Sequence, residues 1–149
     1  MIKLLRTNSD NPDFRELIKS LDEILRENDG EEHSFFAKYN TLDNIKHAVV
    51  AYSDKVPVGC GALKKYTEDT AEIKRMFICE ESRRQGIAKI ILKDLEQWSK
   101  ELNFSNCILE TGKKLTEAVN FYKSCGYKVI PNYGQYSEKE ASICLQKSI

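Results

Sequence analysis

The amino-acid sequence predicts an α/β (α+β) protein with a mixed, mostly antiparallel central sheet of six to seven strands and about four helices packed on both faces. Two observations support this prediction. Segments with apolar residues at helical spacing alternate along the chain with short runs rich in β-branched and aromatic residues. The 149 residues contain no repeats, low-complexity tracts or linkers, and a chain of this length fits one core. We therefore predict a single domain over residues 1–149.

The N-terminal part of the chain predicts a strand, a helix and then a sheet meander. Ile2–Arg6 reads as the strand, and Asn11 and Pro12 suit the N-cap and the first position of a helix that ends near Gly30. Residues 31–44 are less regular and predict a short helix and a loop. Three antiparallel strands follow, with the turn Ser53–Lys55 between the first two: His47–Tyr52, Val56–Tyr66 and Thr70–Cys79.

The C-terminal part alternates helices and strands. Gly86–Leu102 has apolar residues at helical spacing with charges between them, and Cys107–Thr111 is a compact buried strand. This strand should pair in parallel with Thr70–Cys79, because a helix connects the two. Leu115–Cys125 predicts another helix, closed by Gly126 at its C′ position. The last predicted strands are Tyr127–Ile130 and Ala141–Lys147.

The charge balance disfavours polyanionic partners. Lysine plus arginine equals aspartate plus glutamate, 23 each, so the chain has no long-range field that would attract nucleic acid or an anionic membrane. No apolar stretch approaches the ~20 residues of a membrane span, and Met1–Arg6 lacks a signal-peptide core. We expect a cytoplasmic protein with no nucleic-acid or membrane partner. Terminal strands such as Ala141–Lys147 would support a homodimer.

The five cysteines do not form a metal or redox motif. No two are close enough in sequence for a C-x-x-C pair, and their number is odd. They lie within apolar runs, where a free cysteine acts as a small hydrophobe in a reducing compartment. We predict no metal and no disulfide for Cys60, Cys79, Cys107, Cys125 and Cys144.

The segment Arg83–Ala88 is a candidate anion site. It directly follows a predicted strand and opens a helix, so its N–H groups have no intrahelical partner and meet the positive end of the helix dipole. Gly86 lets a phosphate approach the backbone, Ala88 keeps the next turn small, and the arginines add charge. An ordinary basic turn has the same composition, and neither the P-loop pattern nor G-x-G-x-x-G is present.

Two segments of the chain resemble a known family. Arg75–Ile78 followed after four residues by Arg83–Ala88 resembles motif A of the GNAT superfamily of acetyltransferases, whose loop reads Q/R-x-x-G-x-G/A. Ala118–Tyr127 resembles the family's later A-x-x-F-Y-x-x-x-G-F/Y element. The spacing between these two segments also agrees with that of the family, and the likeness covers the chain from His47 onward. Ala88 replaces the commoner glycine of the family, a change that we expect to be tolerated.

The resemblance implies a GNAT-like fold and acetyl-coenzyme A as co-substrate. Main-chain groups of Met76 and Ile78, with Phe77 between them, would pair with the pantetheine arm. The N–H groups from Arg84 to Ala88 would hold the pyrophosphate, and an arginine would contact a phosphate. The implied cofactor-binding set is Met76, Phe77, Ile78, Arg83, Arg84, Gln85, Gly86, Ile87, Ala88, Asn120 and Tyr122.

Glu72 is the candidate general base. Many members of the family carry a carboxylate at this place, and an alkylamine of pKa ~10 must lose a proton before it attacks a thioester. Strand alternation would put Glu72, Lys74, Met76 and Ile78 on one face. The alternatives are a solvated strand residue or an ion-pair partner of Lys74.

Tyr122 is the candidate general acid. In the family the corresponding tyrosine lies near the cofactor sulfur and protonates the departing thiolate, and a thiol of pKa ~8.5 and a phenol of ~10 are close enough for this transfer. The alternative is a core aromatic beside Phe121. Of these two neighbours we expect one to face inward and one to face the cleft.

Weaker candidates surround the acceptor. Glu110 ends a strand that should diverge from Thr70–Cys79 to admit the pantetheine. Its side chain would face the acceptor amine, with a bond to backbone as the equal alternative. Tyr133–Tyr136 reads as an aromatic loop over the acceptor or as a surface hairpin. His33 and His47 have no partner pattern and are treated as structural. The candidate substrate-binding residues are Glu110, Phe35, Tyr39 and Tyr133, with Phe36 in the same predicted wall.

These features predict an acetyl-CoA-dependent N-acetyltransferase that acts on a primary amine of a small molecule by direct attack in a ternary complex. No cysteine lies near a histidine in an arrangement that would support an acetyl-cysteine intermediate. Three alternatives remain open: acetylation of a protein amine, a non-catalytic acyl-CoA-binding module that would dispense with Tyr122 and Glu72, and a nucleotide-phosphate hydrolase. The hydrolase would need an acidic metal site, and no D-x-D cluster is present.

Overall fold

The computed structural model describes residues 1–29 and 45–149. The predicted helix and loop between them, with His33, Phe35, Phe36 and Tyr39, lie outside the described residues.

The described residues form seven strands and three α-helices. The strands are β1 Ile2–Thr7, β2 His47–Ser53, β3 Val56–Lys65, β4 Thr70–Ile78, β5 Asn106–Gly112, β6 Lys128–Ile130 and β7 Ser142–Ser148. The helices are α1 Pro12–Asp29, α2 Ile87–Glu101 and α3 Thr116–Ser124. Every predicted strand and each of these helices is confirmed, with boundaries shifted by one or two residues.

The strands form one sheet in the order β1-β2-β3-β4-β5-β7-β6. The pairs β1–β2, β2–β3, β5–β7 and β6–β7 are antiparallel. The pair β4–β5 is parallel, as the helical connection between the two strands predicts. The expected mixed, mostly antiparallel sheet is therefore confirmed.

Contacts along the chain divide it into two compact units. Unit 1 comprises Met1–Leu63 and Arg75–Leu95, and unit 2 comprises Lys64–Lys74 and Glu96–Ile149. The assignment of residues 1–149 to a single domain stays a prediction.

Unit 1 is built on a capped helix and a hairpin. Asn11 Oδ1 accepts a hydrogen bond of 2.9 Å from the N–H of Phe14, so the predicted N-cap is present. The hairpin turn has only two residues outside the strands, Asp54 and Lys55, both with positive φ, so Ser53 belongs to β2 and not to the turn. Apolar residues of α1 and of β2 to β4, together with Ile45 just before β2, make one buried cluster: Phe14, Leu17, Ile18, Ile45, Ala48, Val50, Cys60, Ala62 and Phe77.

Unit 2 contains the C-terminal motif of α3. Gly126, with φ 97°, takes the left-handed C′ position that the sequence predicts. The N–H of Gly126 donates to Lys123 O at 3.1 Å and the N–H of Tyr127 donates to Tyr122 O at 3.0 Å, which is a Schellman motif. Buried residues of β5 and β7 fill the core of this unit: Cys107, Ile108, Leu109, Cys144 and Leu145.

Candidate active site

The predicted anion loop lies at the start of α2, in unit 1. A short 3₁₀ turn, Glu80–Ser82, separates it from β4, so the loop does not follow the strand directly as we expected. Gly86 O accepts the N–H of Ile90 at 3.2 Å, which makes Gly86 the N-cap of α2. Because glycine has no side chain, Gly86 cannot cap the first N–H groups of the helix itself.

Backbone geometry at this loop requires glycine. Gly86 has φ 77°, and a Cβ built on it would meet no heavy atom within 4 Å. The space in front of the backbone is therefore open, as an approaching phosphate would need. Arg84 also has a positive φ, 65°, although it is not glycine, and this conformation costs about 1–2 kcal/mol in an L-residue. Strain of this kind is concentrated at functional sites.

Most side chains of the loop point to solvent. Arg83, Arg84 and Gln85 are exposed, whereas Ile87 is buried in the core with 2% of its surface exposed. The Nε of Arg83 donates to Ile78 O at 3.1 Å, so the carbonyl that the resemblance assigns to the pantetheine already accepts one hydrogen bond. Within residues 1–29 and 45–149, the Arg84 side chain makes no such hydrogen bond.

Strand β4 departs from regular alternation in its middle. Arg75 has φ 59°, in the left-handed region, so the single face expected for Glu72, Lys74, Met76 and Ile78 is interrupted between Lys74 and Met76. A Cβ on Gly61 would lie 2.6 Å from Met76 Sδ, and one on Gly59 would lie 2.6 Å from Ile78 Cδ1.

The two glycines of β3 therefore make room for the side chains of the predicted cofactor segment. Phe77 belongs instead to the buried cluster of unit 1, with 8% of its surface exposed. Because the Phe77 side chain lies in the core, Phe77 would contact a cofactor through its main chain.

Parallel pairing of β4 with β5 is short. Registered pairs run from Thr70↔Asn106 to Glu72↔Ile108, although β5 continues to Gly112. The registered pairing thus ends at Glu72, before the Leu109–Gly112 end of β5 that we expected to diverge from β4.

Glu72 in unit 2 is buried and bonded, with 7% of its surface exposed. Tyr133 donates its hydroxyl proton to Glu72 Oε2 at 2.6 Å, and Lys74 Nζ lies 4.0 Å from Oε1. The solvated-residue alternative is therefore wrong, and the Lys74 partnership is present. The pKa of Tyr133 is raised by burial and then by the neighbouring Glu72 carboxylate, which keeps the phenol protonated as a donor.

Tyr122 lies on α3 in unit 2 with 8% of its surface exposed. Its ring makes edge contacts with Phe121, at 5.1 Å between centroids, and with Tyr127, at 5.9 Å. Tyr122 is the buried member of the pair with Phe121, which is half-buried. Within residues 1–29 and 45–149 the Tyr122 hydroxyl has no hydrogen-bond partner. Burial, and secondarily Cys125, raises the pKa of Tyr122.

Of the remaining candidates in unit 2, Glu110 and Tyr133 contact neighbouring side chains, and the predicted cofactor residue Asn120 does not lie in the core. Glu110 Oε2 accepts a hydrogen bond of 2.7 Å from Ser142 Oγ, so a side chain satisfies the carboxylate that we expected to bond to backbone or substrate. The Tyr133 ring packs edge-on against Tyr66 at 5.1 Å and against Tyr136 at 5.7 Å. Asn120 is exposed on α3.

Sequence reasoning missed several of these residues. Ser142 and Tyr66 carry no motif. The β5–β7 pairing brings Ser142 to Glu110, whereas Tyr66 and Tyr133 lie outside the strands and meet through the fold. The left-handed conformation of Arg75 had no signal either, because the residue that normally marks it is glycine.

Two observations bear on metals and membranes. Among residues 1–29 and 45–149 no group of three or more His, Cys, Asp or Glu side chains is arranged to hold a metal ion. None of the helices in this part of the chain is both long enough and apolar enough to cross a bilayer.

The five cysteines are free thiols in the structure, and Cys60, Cys107 and Cys144 are buried as small hydrophobes.

Comparison with known proteins identifies the family. The model of the acetyltransferase (GNAT) family matches residues 9–127, more than half of the chain. The chain therefore belongs to the GNAT family of acetyltransferases. A Xenopus tropicalis protein named Probable N-acetyltransferase 14 is 34% identical over 93 residues, which are 61% of this chain and 45% of that protein. The chain spans about half the length of this relative.

Solved structures confirm the fold. A Klebsiella pneumoniae protein, proposed to be an acyl-CoA N-acyltransferase, superposes with a TM-score of 0.83 at 23% identity over 99% of this chain and 97% of that one. A GNAT family acetyltransferase from Elizabethkingia anophelis, solved with acetyl-CoA bound, gives 0.73 at 19% identity over 99% and 98% of the two chains. The predicted GNAT fold is thus correct.

Proposed function

We propose that this protein is an N-acetyltransferase that moves the acetyl group of acetyl-CoA to a primary amine of a small molecule. The observation that carries the proposal is the start of α2 at Gly86, where the first N–H groups have no intrahelical acceptor and a Cβ on Gly86 would meet no heavy atom within 4 Å. Membership of the GNAT family and the acetyl-CoA-bound Elizabethkingia neighbour support acetyl-CoA as the donor.

The cofactor role belongs to main-chain groups of unit 1. The N–H groups of Ile87 and Ala88 have no intrahelical acceptor and would bind the pyrophosphate, with the helix dipole adding to the attraction. Arg84, exposed beside them, supplies a charged contact to a phosphate. Main-chain groups of Met76 and Ile78 would pair with the pantetheine, and an N–H near Met76 would stabilise the oxyanion.

Glu72 is proposed as the base, directly or through one water. Its carboxylate is held on Oε2 by the Tyr133 hydroxyl, and Lys74 lies 4.0 Å from Oε1. Oε1 is therefore the oxygen that would accept the ammonium proton. Deprotonation gives the neutral amine, whose lone pair attacks the thioester carbonyl. The nitrogen then carries a positive charge and loses its second proton to solvent as the tetrahedral intermediate collapses to the amide.

Tyr122 is proposed as the group that stabilises the leaving thiolate. When the carbon–sulfur bond breaks, the sulfur takes the electron pair and needs a proton or a hydrogen bond. The raised pKa of Tyr122 keeps its hydroxyl protonated at neutral pH but makes it a weaker acid than a free phenol. The hydroxyl is thus best suited to donate a hydrogen bond as the charge develops, with complete transfer only as the bond breaks.

An acceptor screen tests the proposal. The protein is mixed with acetyl-CoA and a panel of small primary amines, amino acids and a peptide with a free N-terminus, and the released thiol is measured. We expect turnover with at least one small amine. Binding of acetyl-CoA without turnover on any acceptor would favour the non-catalytic module, and turnover confined to the peptide would favour a protein amine as substrate.

A further inference from the structure

Arg75 combines two unfavourable features in the interior of β4. Its backbone is left-handed, with φ 59°, although its side chain has a Cβ. The side chain is also buried, with only 2% of its surface exposed. A charged residue in a strained conformation persists only where neighbouring groups hold it there.

Two contacts hold this residue. Arg75 Nη1 donates to Asp22 Oδ1 of α1 at 2.6 Å, and the Sγ–H of Cys60 on β3 donates to the Arg75 carbonyl at 3.4 Å. Burial raises the pKa of Cys60 to about 12, so the thiol keeps the proton that this contact needs. Within the described residues Arg75 Nε has no hydrogen-bond partner, so Asp22 is the carboxylate on which the guanidinium depends.

We propose that Asp22 is a positioning residue: by anchoring the Arg75 guanidinium it fixes the left-handed turn of β4 and thereby the direction of the main-chain groups of Met76–Ile78. The inference rests on the proposed function, which assigns those groups to the pantetheine arm of acetyl-CoA. Asp22 itself lies on α1 and acts through the Arg75 guanidinium.

A second ion pair of unit 1 shows what a purely structural contact looks like. Arg6 of β1 donates from Nε and Nη2 to the two carboxylate oxygens of Asp94 on α2, at 3.2 and 3.1 Å. Arg6 is not among the residues with positive φ. The pair thus joins a strand to a helix without holding a strained backbone, which makes Asp94 the matched control for Asp22.

The experiment compares Asp22→Asn with Asp94→Asn. Each change removes one carboxylate charge from an arginine pair of the same unit and keeps the size of the side chain. Asp22 has 44% of its side chain exposed, so its replacement leaves no cavity and the variant should fold. Acetyl-CoA affinity is measured by calorimetry, and the melting temperature by thermal denaturation.

We expect Asp22→Asn to weaken acetyl-CoA binding at least fivefold, while Asp94→Asn leaves it within twofold. The melting temperature should fall further in Asp22→Asn, because that change leaves the buried Arg75 guanidinium without its carboxylate, whereas Arg6 has 33% of its side chain exposed. Once an acceptor amine has been identified, the KM of Asp22→Asn for acetyl-CoA should be raised by the same factor, and its kcat should change less than twofold. Asp22→Glu, which keeps the charge, should recover part of the affinity.

Two results would overturn the inference alone: an unchanged affinity in Asp22→Asn, or an equal loss in both variants. A wild-type protein that does not bind acetyl-CoA would instead overturn the proposed function, and the inference with it. The two failures are distinguished by the wild-type titration.

Discussion

The segment around Gly86 in unit 1 and the side chains of Glu72, Tyr122 and Tyr133 in unit 2 would contact substrates through different parts of the polypeptide. In the first, the proposed contacts are main-chain N–H groups, and the conformations that expose them are left-handed at Arg75, Arg84 and Gly86. In the second, they are buried side chains such as Glu72 and Tyr122. Binding of the coenzyme should therefore be sensitive to backbone substitutions, and chemistry to the loss of single polar atoms.

The largest effect is expected at Tyr122. Tyr122→Phe removes only the hydroxyl and should lower kcat by about 10²-fold or more, the usual contribution of an acid–base group. Its KM for acetyl-CoA should stay near the wild-type value, because main-chain groups carry binding. Steady-state kinetics with thiol detection gives both constants.

Tyr127→Phe is the control for that change. It removes a buried hydroxyl that donates to Glu96 Oε2 at 2.9 Å, on a ring 5.9 Å from that of Tyr122. We expect a lower melting temperature with kcat reduced far less than in Tyr122→Phe. Equal losses of kcat in the two variants would assign Tyr122 to packing.

A smaller effect is expected at Glu72. Glu72→Gln keeps an acceptor for Tyr133 and should lower kcat by about 10²-fold at neutral pH, the lower end of the range for general bases. The loss should shrink as the pH approaches the amine pKa of ~10, where the acceptor is deprotonated by solvent. A deficit that stays constant across this pH range would contradict the base assignment.

Gly86→Ala tests the backbone side of the comparison. The added Cβ meets no neighbour but disfavours φ 77°, at about 1–2 kcal/mol, so acetyl-CoA should bind roughly 10-fold more weakly with little change in kcat. Gly134→Ala imposes similar backbone strain at φ 51° in unit 2, adds a Cβ 3.3 Å from Tyr66 Oη, and should leave acetyl-CoA affinity unchanged. Equal weakening in both variants would show a general loss of stability.

The last expected effect does not involve activity and is a difference in alkaline stability between the two units. Burial raises the pKa of Tyr122, Tyr127 and Tyr136, all in unit 2. In unit 1, Tyr52 has its pKa raised to about 12 by desolvation and by its bond to Asp13. Since the unfolded tyrosines ionise near ~10, their contribution to stability is complete below that pH and is lost as the pH rises through the folded values.

Each fully buried tyrosine should therefore reduce the free energy of unfolding by about 1.4 kcal/mol per pH unit above pH ~10. Urea denaturation between pH 8 and 12 measures this slope, and amide exchange should find unit 2 opening first. A flat profile above pH 10 would contradict the burial of these rings.

The features of the fold and of the site that could be predicted are those marked by local sequence signals. The Gly86 helix start and the Gly126 cap were predictable because a glycine at a fixed spacing marks each one. The partner of Glu72 was not, since Tyr133 is 61 residues away and reaches it through the fold. Arg75 was misjudged because periodicity assumes a regular strand, and its left-handed turn is imposed by Asp22, 53 residues earlier.

The central claim is that main-chain amides at the start of α2 bind the pyrophosphate of coenzyme A. Nitrogen-15-labelled protein is titrated with coenzyme A and, separately, with pantetheine, which lacks the phosphates. We predict that the amide resonances of Gly86, Ile87 and Ala88 shift with coenzyme A and stay in place with pantetheine. Resonances of these three amides that remain unmoved by saturating coenzyme A would contradict the account.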